Sequence, residues 1–103
     1  MPHYQVLFEK RALKRLKKLS FKIQEKILEA LRILRDEGFS PKLNIKKLKG
    51  YTNHYRIKIG KYRILFELEP KNIIRIYAIL PRKKHTNNTH KYFKPTKKFI
   101  KLK

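Results

Sequence analysis

The stretch that decides the fold is YRIKIGKYRILFELEP, residues 55–70. Apolar and polar side chains alternate on both sides of Gly60-Lys61, and a glycine in the first position of a two-residue loop is typical of a β-hairpin turn. The run ends at Pro70, which cannot donate a hydrogen bond to a neighbouring strand. The sequence therefore predicts two antiparallel strands joined at Gly60-Lys61.

A two-residue loop fixes the register of this predicted hairpin. Ile59 then lies opposite Tyr62, and Lys58 lies opposite Arg63. Because side chains alternate between the two faces of a strand, Arg56 shares one face with Lys58 and Arg63. The residues on the other face, which is predicted to pack on helices, are Tyr55, Ile57, Ile59, Tyr62, Ile64, Phe66 and Leu68.

The three cations on one face of the hairpin call for an explanation, because like charges opposite each other in a sheet are destabilising. A solvated basic surface is the simplest alternative. A phosphate group would offset the repulsion, since arginine makes bidentate contacts to phosphate oxygens and lysine supplies a point charge. Such a cluster could also stabilise the extra negative charge of a pentacoordinate transition state, and RNA supplies its own nucleophile in the 2′-hydroxyl.

A three-residue loop at residues 70–72 connects the hairpin to a third predicted strand. It places Glu67 opposite Arg75, an opposite-charge pair that favours this register. Continued along the strand, the register brings Arg82 beside Gly60, close to the cations of the hairpin. The same loop pairs Leu68 with Ile74 and Phe66 with Ile76.

The residues before the hairpin predict one strand and two helices. A β-branched and aromatic run comes first, and two stretches with helical spacing of apolar residues follow it. Ser20 is the predicted N-cap of the second helix, and Gly38 is its predicted left-handed C-cap. The sequence thus predicts an α+β fold in the order βααβββ, with an antiparallel sheet packed against a helical hairpin. The predicted elements are a strand at 3–8, helices at 9–19 and 21–37, a connecting loop at 39–53, and strands at 54–59, 62–69 and 73–80.

The composition favours a polyanionic partner. The chain has 103 residues, with 29 Lys or Arg against 7 Asp or Glu and a formal net charge of +22. At this length one domain is expected, and 41% hydrophobic residues are enough to form its core. Nucleic acid is favoured over a membrane, because no apolar run approaches the ~18 residues of a spanning helix. The absence of cysteine and the lack of a signal-peptide pattern in MPHYQVLFEK predict a cytoplasmic location.

The composition changes near the end of the chain, where many bases and no acid occur. We therefore expect a folded domain at residues 1–82 and a basic C-terminal tail at residues 83–103. Aromatic residues between the lysines of the tail suit contacts with RNA, although a disordered solubilising tail is an equal alternative. The lysines predicted to bind RNA are Lys61 in the hairpin turn and Lys83, Lys84, Lys91, Lys97 and Lys98 in the tail.

Other chemistry is weakly supported by the sequence. The four histidines lack the spacing of a metal site, and there is no phosphate-binding loop or dinucleotide fingerprint, so neither a metal nor a cofactor is predicted. The acids of the first two-fifths of the chain are predicted to be helix-surface charges, namely Glu9, Glu25, Glu29, Asp36 and Glu37. The tyrosines near the predicted sheet are expected in the core more often than stacked on bases, namely Tyr51, Tyr55 and Tyr77.

The order of these elements and three stretches of sequence resemble the RelE/ParE toxin superfamily, specifically its RelE-like mRNA interferases. The stretches are YQVLFEKRALKRLKKL, KLKGYTNHYRIKIGKYRILFEL and IYAILPR, and the resemblance covers about residues 3–82. It implies the βααβββ fold, an endoribonuclease that cuts mRNA in the ribosomal A site by 2′-hydroxyl attack without a metal, and inhibition of translation. It also implies a RelB-like antitoxin, the ribosome and mRNA as partners.

The resemblance also implies roles for four cations. Arg56, Lys58, Arg63 and Arg82 match the catalytic set of the family. Lys58 or a neighbouring group is implied to take the proton, and Arg63 to bind the phosphate and transition state. Arg82 is implied to stabilise the leaving group or the charge of the transition state.

One position departs from the family pattern. RelE-like toxins have a tyrosine about six residues after the final arginine, where this chain has Asn88. His85, His90 or Tyr92 is the candidate replacement, or the activity is weaker than in other members.

Two alternative functions remain open from the sequence. ParE-like relatives act on DNA gyrase and generally lack the basic catalytic set, so the presence of all four cations favours the ribonuclease. A non-catalytic RNA-binding protein is the other alternative, and the predicted order of elements argues against it.

Overall fold

The computed structural model describes residues 3–81 and 99–101, and it has the predicted α+β architecture, with two helices packed on one sheet. A 3₁₀ turn at Pro70–Asn72 joins two of the strands. The strands of the hairpin have the predicted bounds. The elements in chain order are β1 (Gln5–Glu9), α1 (Lys10–Lys17), α2 (Phe21–Glu37), β2 (Ile45–Lys47), β3 (His54–Ile59), β4 (Tyr62–Glu69), β5 (Ile73–Pro81) and β6 (Phe99–Lys101).

The helix α2 begins and ends at the predicted residues. The Ser20 hydroxyl accepts a hydrogen bond from the backbone N–H of Ile23 at 3.3 Å, which satisfies one of the free donors at the helix start. Gly38 follows the last turn with a φ of 76°, a value that favours glycine, although its ψ of −144° lies outside the predicted left-handed helical region. The stripe that α2 buries against the sheet consists of Ile27, Ala30, Leu31 and Leu34.

The strand order in the described sheet is β2-β3-β4-β5-β1-β6. The strand β1 runs parallel to β5, and the other described pairings are antiparallel. A parallel pair needs a long crossover connection, and the two helices together with β2, β3 and β4 supply it. Two short strands add to the predicted order. The strand β2 lies in the segment predicted as a loop, and β6 lies in the predicted tail and pairs with β1.

The hairpin has the predicted register, and the next strand follows it only in part. Glu67 lies opposite Arg75 as predicted, but the register shifts by one residue between Leu65 and Phe66. Leu65 therefore pairs with Ala78, and Tyr77 is the extra residue of a β-bulge. The uninterrupted register predicted beyond this point, which would place Arg82 beside Gly60, is wrong, because Tyr62 pairs with Pro81.

The bulge gives the sheet an apolar cluster on each face. The main core lies between the sheet and the helices, and Ile76 and Ile79 both reach it although they are three residues apart. Tyr77 and Ala78 both reach the opposite face, where they contact Leu65. This second cluster means that the face opposite the helices is not uniformly charged.

A buried ionic network joins β1, β4 and β5. The Arg75 guanidinium, 5% exposed, donates a hydrogen bond from Nε to Oε2 of Glu69 at 2.7 Å, and its other nitrogens donate to Glu67 and Glu9. Glu9 was predicted as a helix-surface charge, and this is wrong, because it ends β1 and is completely buried. Burial raises the pKa of Glu9 above its ordinary value, and the cations Arg75 and Arg11 oppose this shift.

Loss of the Arg75 guanidinium should destabilise the fold strongly. We expect Arg75→Ala to lower the free energy of unfolding by about 3–5 kcal/mol, because three carboxylates lose a buried partner. Urea unfolding followed by circular dichroism measures this change. Arg32→Ala is the matched control, since Arg32 pairs with Glu29 on the exposed side of α2 and its loss should cost at most about 1 kcal/mol. Equal losses for the two variants would show that the network does not stabilise the fold.

Candidate nucleic-acid interface

The face of the sheet opposite the helices, termed the outer face, carries the three predicted cations of the hairpin. Lys58 lies directly opposite Arg63, and Arg56 lies one row farther along β3. Opposed residues in an antiparallel pair have Cβ atoms about 4.5–5.5 Å apart, and diagonal neighbours about 7–8 Å. Lys58 is exposed, whereas Arg56 and Arg63 are half-buried. These three residues form the basic cluster.

The core holds the basic cluster in place from the other side of the same strands. Ile57 lies between Arg56 and Lys58 in the chain and is completely buried. Ile64 follows Arg63 and is also completely buried. Any rotation of β3 or β4 that turned the cations away would expose these core side chains to water, so the fold fixes the direction in which the cations point.

A fourth cation meets the basic cluster from β2. Lys46 is exposed and lies directly opposite Arg56. The sequence did not predict this position, because residues 39–53 contain a proline and a glycine and show no clear period. The stretch Ile45-Lys46-Lys47 does not alternate between apolar and polar residues, and its three residues are below the 4–8 that identify a strand reliably.

The acids of the chain lie away from these cations. Three of them surround Arg75, and the other four lie on α2. The ion pairs of the α2 acids are Glu29 with Arg32, Asp36 with Arg35, and Glu37 with Lys42. Within residues 3–81, no ion pair involves Lys46, Arg56 or Lys58. The outer face is therefore strongly electropositive at the end near the hairpin turn.

An apolar strip separates the basic cluster from the Arg75 network. Leu65, Tyr77 and Ala78 form it, and the half-buried Leu48 and Leu80 pack against it. Tyr77 is completely buried, as predicted for a core tyrosine, and burial raises the pKa of its hydroxyl far above the ordinary value. Along the outer face the order is thus cations, apolar side chains, and the neutralised network.

His54 lies between the Arg75 network and the apolar strip and contacts both. Its Nδ1 lies 3.0 Å from the hydroxyl of Tyr77, and its Nε2 lies 3.6 Å from Oε2 of Glu67. Burial lowers the pKa of His54 below its ordinary value, and the Glu67 carboxylate opposes this shift while Arg75 adds to it. The imidazole is therefore neutral at neutral pH and does not belong to the basic cluster.

The remaining predicted site residues lie elsewhere. Lys61 is exposed in the turn between β3 and β4. Arg82 follows the last residue of β5 and lies outside the described residues. The other predicted residues outside them are Lys83, Lys84, His85, His90, Lys91, Tyr92, Lys97 and Lys98, together with Asn88.

Two further properties concern the described residues. Among residues 3–81 no group of three histidine or acidic side chains has an arrangement that could hold a metal ion. Neither α1 nor α2 combines the length and the apolar composition needed to cross a membrane.

A shallow apolar groove lies on the helix side of the molecule. Phe21 at the start of α2 is 74% exposed, and Leu28 and Ile59 line the groove beside it. Charged residues of both signs surround it, including Lys22 and Glu25. This groove lies on the opposite side of the sheet from the basic cluster.

Comparison with known proteins gives a family for this arrangement. The family described as "ParE toxin of type II toxin-antitoxin system, parDE" matches residues 6–86. Toxin RelE3 of Methanocaldococcus jannaschii is 35% identical over 91 residues, which cover 86% of this chain and 98% of that protein. The chain belongs to the RelE/ParE toxin superfamily. The predicted family is therefore confirmed.

Solved structures of RelE proteins have the same fold. The archaeal RelE-RelB complex from Pyrococcus horikoshii matches with a TM-score of 0.67 and 28% identity, over 80% of this chain and 98% of that one. The RelB-RelE antitoxin-toxin complex from Methanococcus jannaschii matches with a TM-score of 0.66 and 33% identity, over 84% and 98% of the two chains. The Escherichia coli RelE mutant, at 21% identity and a TM-score of 0.68 over 89% and 94%, shares the fold alone.

The buried His54 should make the stability of this RelE/ParE-superfamily protein depend on pH. Because its pKa is lowered in the folded state, the unfolded chain binds more protons just below the ordinary value of 6.5. The free energy of unfolding should therefore fall as the pH decreases through 6.5 towards the lowered pKa, and then level off. Urea unfolding should show that His54→Gln loses less stability than the wild type between about pH 7.5 and pH 5.

His3→Gln is the control for this measurement, since His3 is exposed. It should reproduce the pH dependence of the wild type. If His54→Gln and His3→Gln gave the same pH profile, the neutral state of His54 would not contribute to the stability of the fold.

Proposed function

We propose that this protein is a ribosome-dependent endoribonuclease that cleaves mRNA in the A site and so inhibits translation. The single observation that carries the proposal is the pairing of Lys58 with Arg63 across β3 and β4, with Arg56 beside them. Like charges in this arrangement destabilise the sheet, and a bound phosphodiester would offset the repulsion. A basic patch alone would not indicate a reaction, and membership of the RelE/ParE toxin superfamily supports RNA cleavage as the proposed one.

The proposed reaction is an attack of the 2′-hydroxyl oxygen on the adjacent phosphorus. The bond from the 2′-oxygen to phosphorus forms, the bond from phosphorus to the 5′-oxygen breaks, and a proton passes to the leaving oxygen. The products are a 2′,3′-cyclic phosphate and a 5′-hydroxyl. The phosphorane formed on the way carries extra negative charge, and fixed cations aimed at it lower the barrier.

Each cation has a proposed part in this reaction. Arg63 binds the phosphate in a bidentate manner, and Arg56 supports it from the diagonal position. Lys58 or a neighbouring group takes the proton of the 2′-hydroxyl. Arg82, which follows β5 directly in the chain, stabilises the leaving group.

The ribosome is part of the proposal because the described cluster holds cations and no conventional general base. The cleavage rate must then come from alignment of the 2′-hydroxyl with the scissile bond. In the proposal, the ribosome holds the mRNA in the conformation that gives this alignment. The residues proposed to replace the tyrosine of the family are His85, His90 and Tyr92, and the lysines of residues 83–103 are proposed to bind RNA phosphates.

A RelB-like antitoxin is the proposed inhibitor. The RelE proteins of Pyrococcus horikoshii and Methanococcus jannaschii were both solved in complex with RelB. A partner with acidic side chains would neutralise the basic cluster, and its apolar side chains would fill the groove that contains Phe21 and Leu28. Inhibition then follows from occupation of the cations that RNA needs.

Removal of a single arginine should abolish translation arrest. We expect Arg63→Ala and Arg82→Ala each to lower the cleavage rate on programmed ribosomes about 10²–10³-fold, the usual effect of losing one donor to developing charge. Arg63→Ala should keep the fold, because Arg63 lies on the outer face and not in the main core, and circular dichroism checks this. Arg32→Ala on α2 removes the same charge from the other side of the molecule and should stay active.

The same experiment separates the alternative functions. Full activity of both arginine variants at equal expression would contradict the proposed site. Expression that stops DNA replication while protein synthesis continues would favour the gyrase-directed function of ParE-like relatives. Rapid cleavage of naked RNA would contradict the dependence on the ribosome.

The antitoxin should associate faster at low salt than at high salt. Charge complementarity accelerates the encounter of two proteins, and salt screens it over a Debye length of about 8 Å at physiological ionic strength. Stopped-flow association with the RelB-like antitoxin measures the rate. If the association rate did not change with salt, the proposal that acidic side chains of the antitoxin bind the basic cluster would be wrong.

A further inference from the structure

The edge strand β2 places one lysine on the outer face and the next lysine on the helix side. Lys46 lies opposite Arg56, whereas Lys47 lies opposite Tyr55, a residue that packs against the main core. Both lysines are exposed and belong to the same three-residue strand. They differ in the face of the sheet to which they belong.

The strand β2 is anchored on both faces of the sheet. Ile45 packs against the main core, and Leu48 packs against the apolar strip of the outer face. Backbone hydrogen bonds close both ends of the strand, from the N–H of Lys58 to the carbonyl of Asn44 at 3.0 Å and from the N–H of Leu48 to the carbonyl of His54 at 2.8 Å. The position of Lys46 is thus fixed by contacts on either side of it.

The placement of Lys46 opposite Arg56 is electrostatically unfavourable. It adds a second pair of like charges across neighbouring strands, next to the pair of Lys58 and Arg63. Within residues 3–81 no ion pair compensates Lys46 or Arg56. An anionic ligand on the outer face would compensate both pairs.

The four cations lie in a diagonal line across three strands. Arg63 is on β4, Lys58 and Arg56 are on β3, and Lys46 is on β2. Neighbouring strands are about 4.8 Å apart, so the line extends over about 9.6 Å across the sheet and also advances along the strands. A line of this length matches a ligand with phosphates in succession better than one isolated phosphate.

We propose that Lys46 is a positioning residue that binds the phosphate next to the scissile one and thereby fixes the path of the RNA across the outer face. The proposal rests on the proposed function, since it takes the phosphate at Arg63 as the scissile one. Lys46 touches no reacting atom. The contact of Lys46 with the neighbouring phosphate determines how tightly and in which register the RNA binds. The residues of the basic cluster act on the reacting atoms.

Binding of short RNA to the full-length protein tests this proposal. The probes are a dinucleotide, which has one phosphate, and a tetranucleotide, which has three, each with a 2′-deoxy sugar on the 5′ side of the central phosphate, which prevents cleavage there. For the wild type the longer RNA should bind more tightly, because it supplies phosphates on both sides of the central one. Lys46→Ala should lose most of that gain, and its slope of log K against log salt should be shallower by about 0.7, the value of one phosphate contact in single-stranded nucleic acid.

Lys47→Ala is the matched control, because it removes the same charge from the same strand on the opposite face. It should keep the gain with RNA length and the salt slope of the wild type. Lys46→Arg should restore both, since it keeps the charge at this position. On programmed ribosomes Lys46→Ala should raise the protein concentration needed for half-maximal cleavage, whereas Lys47→Ala should not.

The outcomes distinguish the two proposals. Equal effects of Lys46→Ala and Lys47→Ala would show that net charge matters and that the position of Lys46 does not, which would overturn this inference. An unchanged salt slope in Lys46→Ala with a reduced slope in Arg63→Ala would overturn it as well, and would leave the proposed function standing. An unchanged slope in both variants would contradict the proposed RNA site itself.

Discussion

The arrangement of charge in this protein depends on the buried guanidinium of Arg75. It binds three of the seven acids of the chain, Glu9, Glu67 and Glu69, at one end of the outer face. The other four acids belong to α2, on the opposite side of the sheet. Because Arg75 holds the sheet acids together, these carboxylates lie away from the cations at the other end. A stabilising interaction in one place therefore preserves an electropositive surface in another.

The bulge in β5 defines the boundary between these two ends. It turns both Tyr77 and Ala78 towards Leu65, so an apolar strip lies between the Arg75 network and the basic cluster. The sequence could not reveal this feature, because residues 76–80 are all apolar and give no alternation from which to read a phase. Between β4 and β5, the predicted register holds for the pairs from Glu69 back to Phe66. It is wrong by one residue for the pairs from Leu65 to Tyr62, on the other side of the bulge.

Other differences between the predicted and the observed structure have similar causes. The hairpin and both helices were predictable because their apolar periods are long and regular. The strand β2 was not, since a three-residue strand carries too little pattern, and Lys46 was missed with it. Glu9 was misplaced because it lies at the junction of β1 and α1, and its partner Arg75 is 66 residues away in the chain. Three cations of the site were predictable from register alone, whereas the environment around them depended on contacts between distant residues.

The basic cluster breaks a rule that the rest of the sheet follows. Arg75 lies opposite Glu67, which has the opposite charge. The pairs Lys58 with Arg63 and Lys46 with Arg56 have like charges. The strands tolerate this because the buried Ile57 and Ile64 on their other face supply the stability. Local conflict of this kind is expected at functional sites, and the proposed anionic ligand would relieve it. Any anion that relieves the repulsion should also stabilise the folded protein, so the proposed RNA and the proposed acidic antitoxin would compete for the same cations.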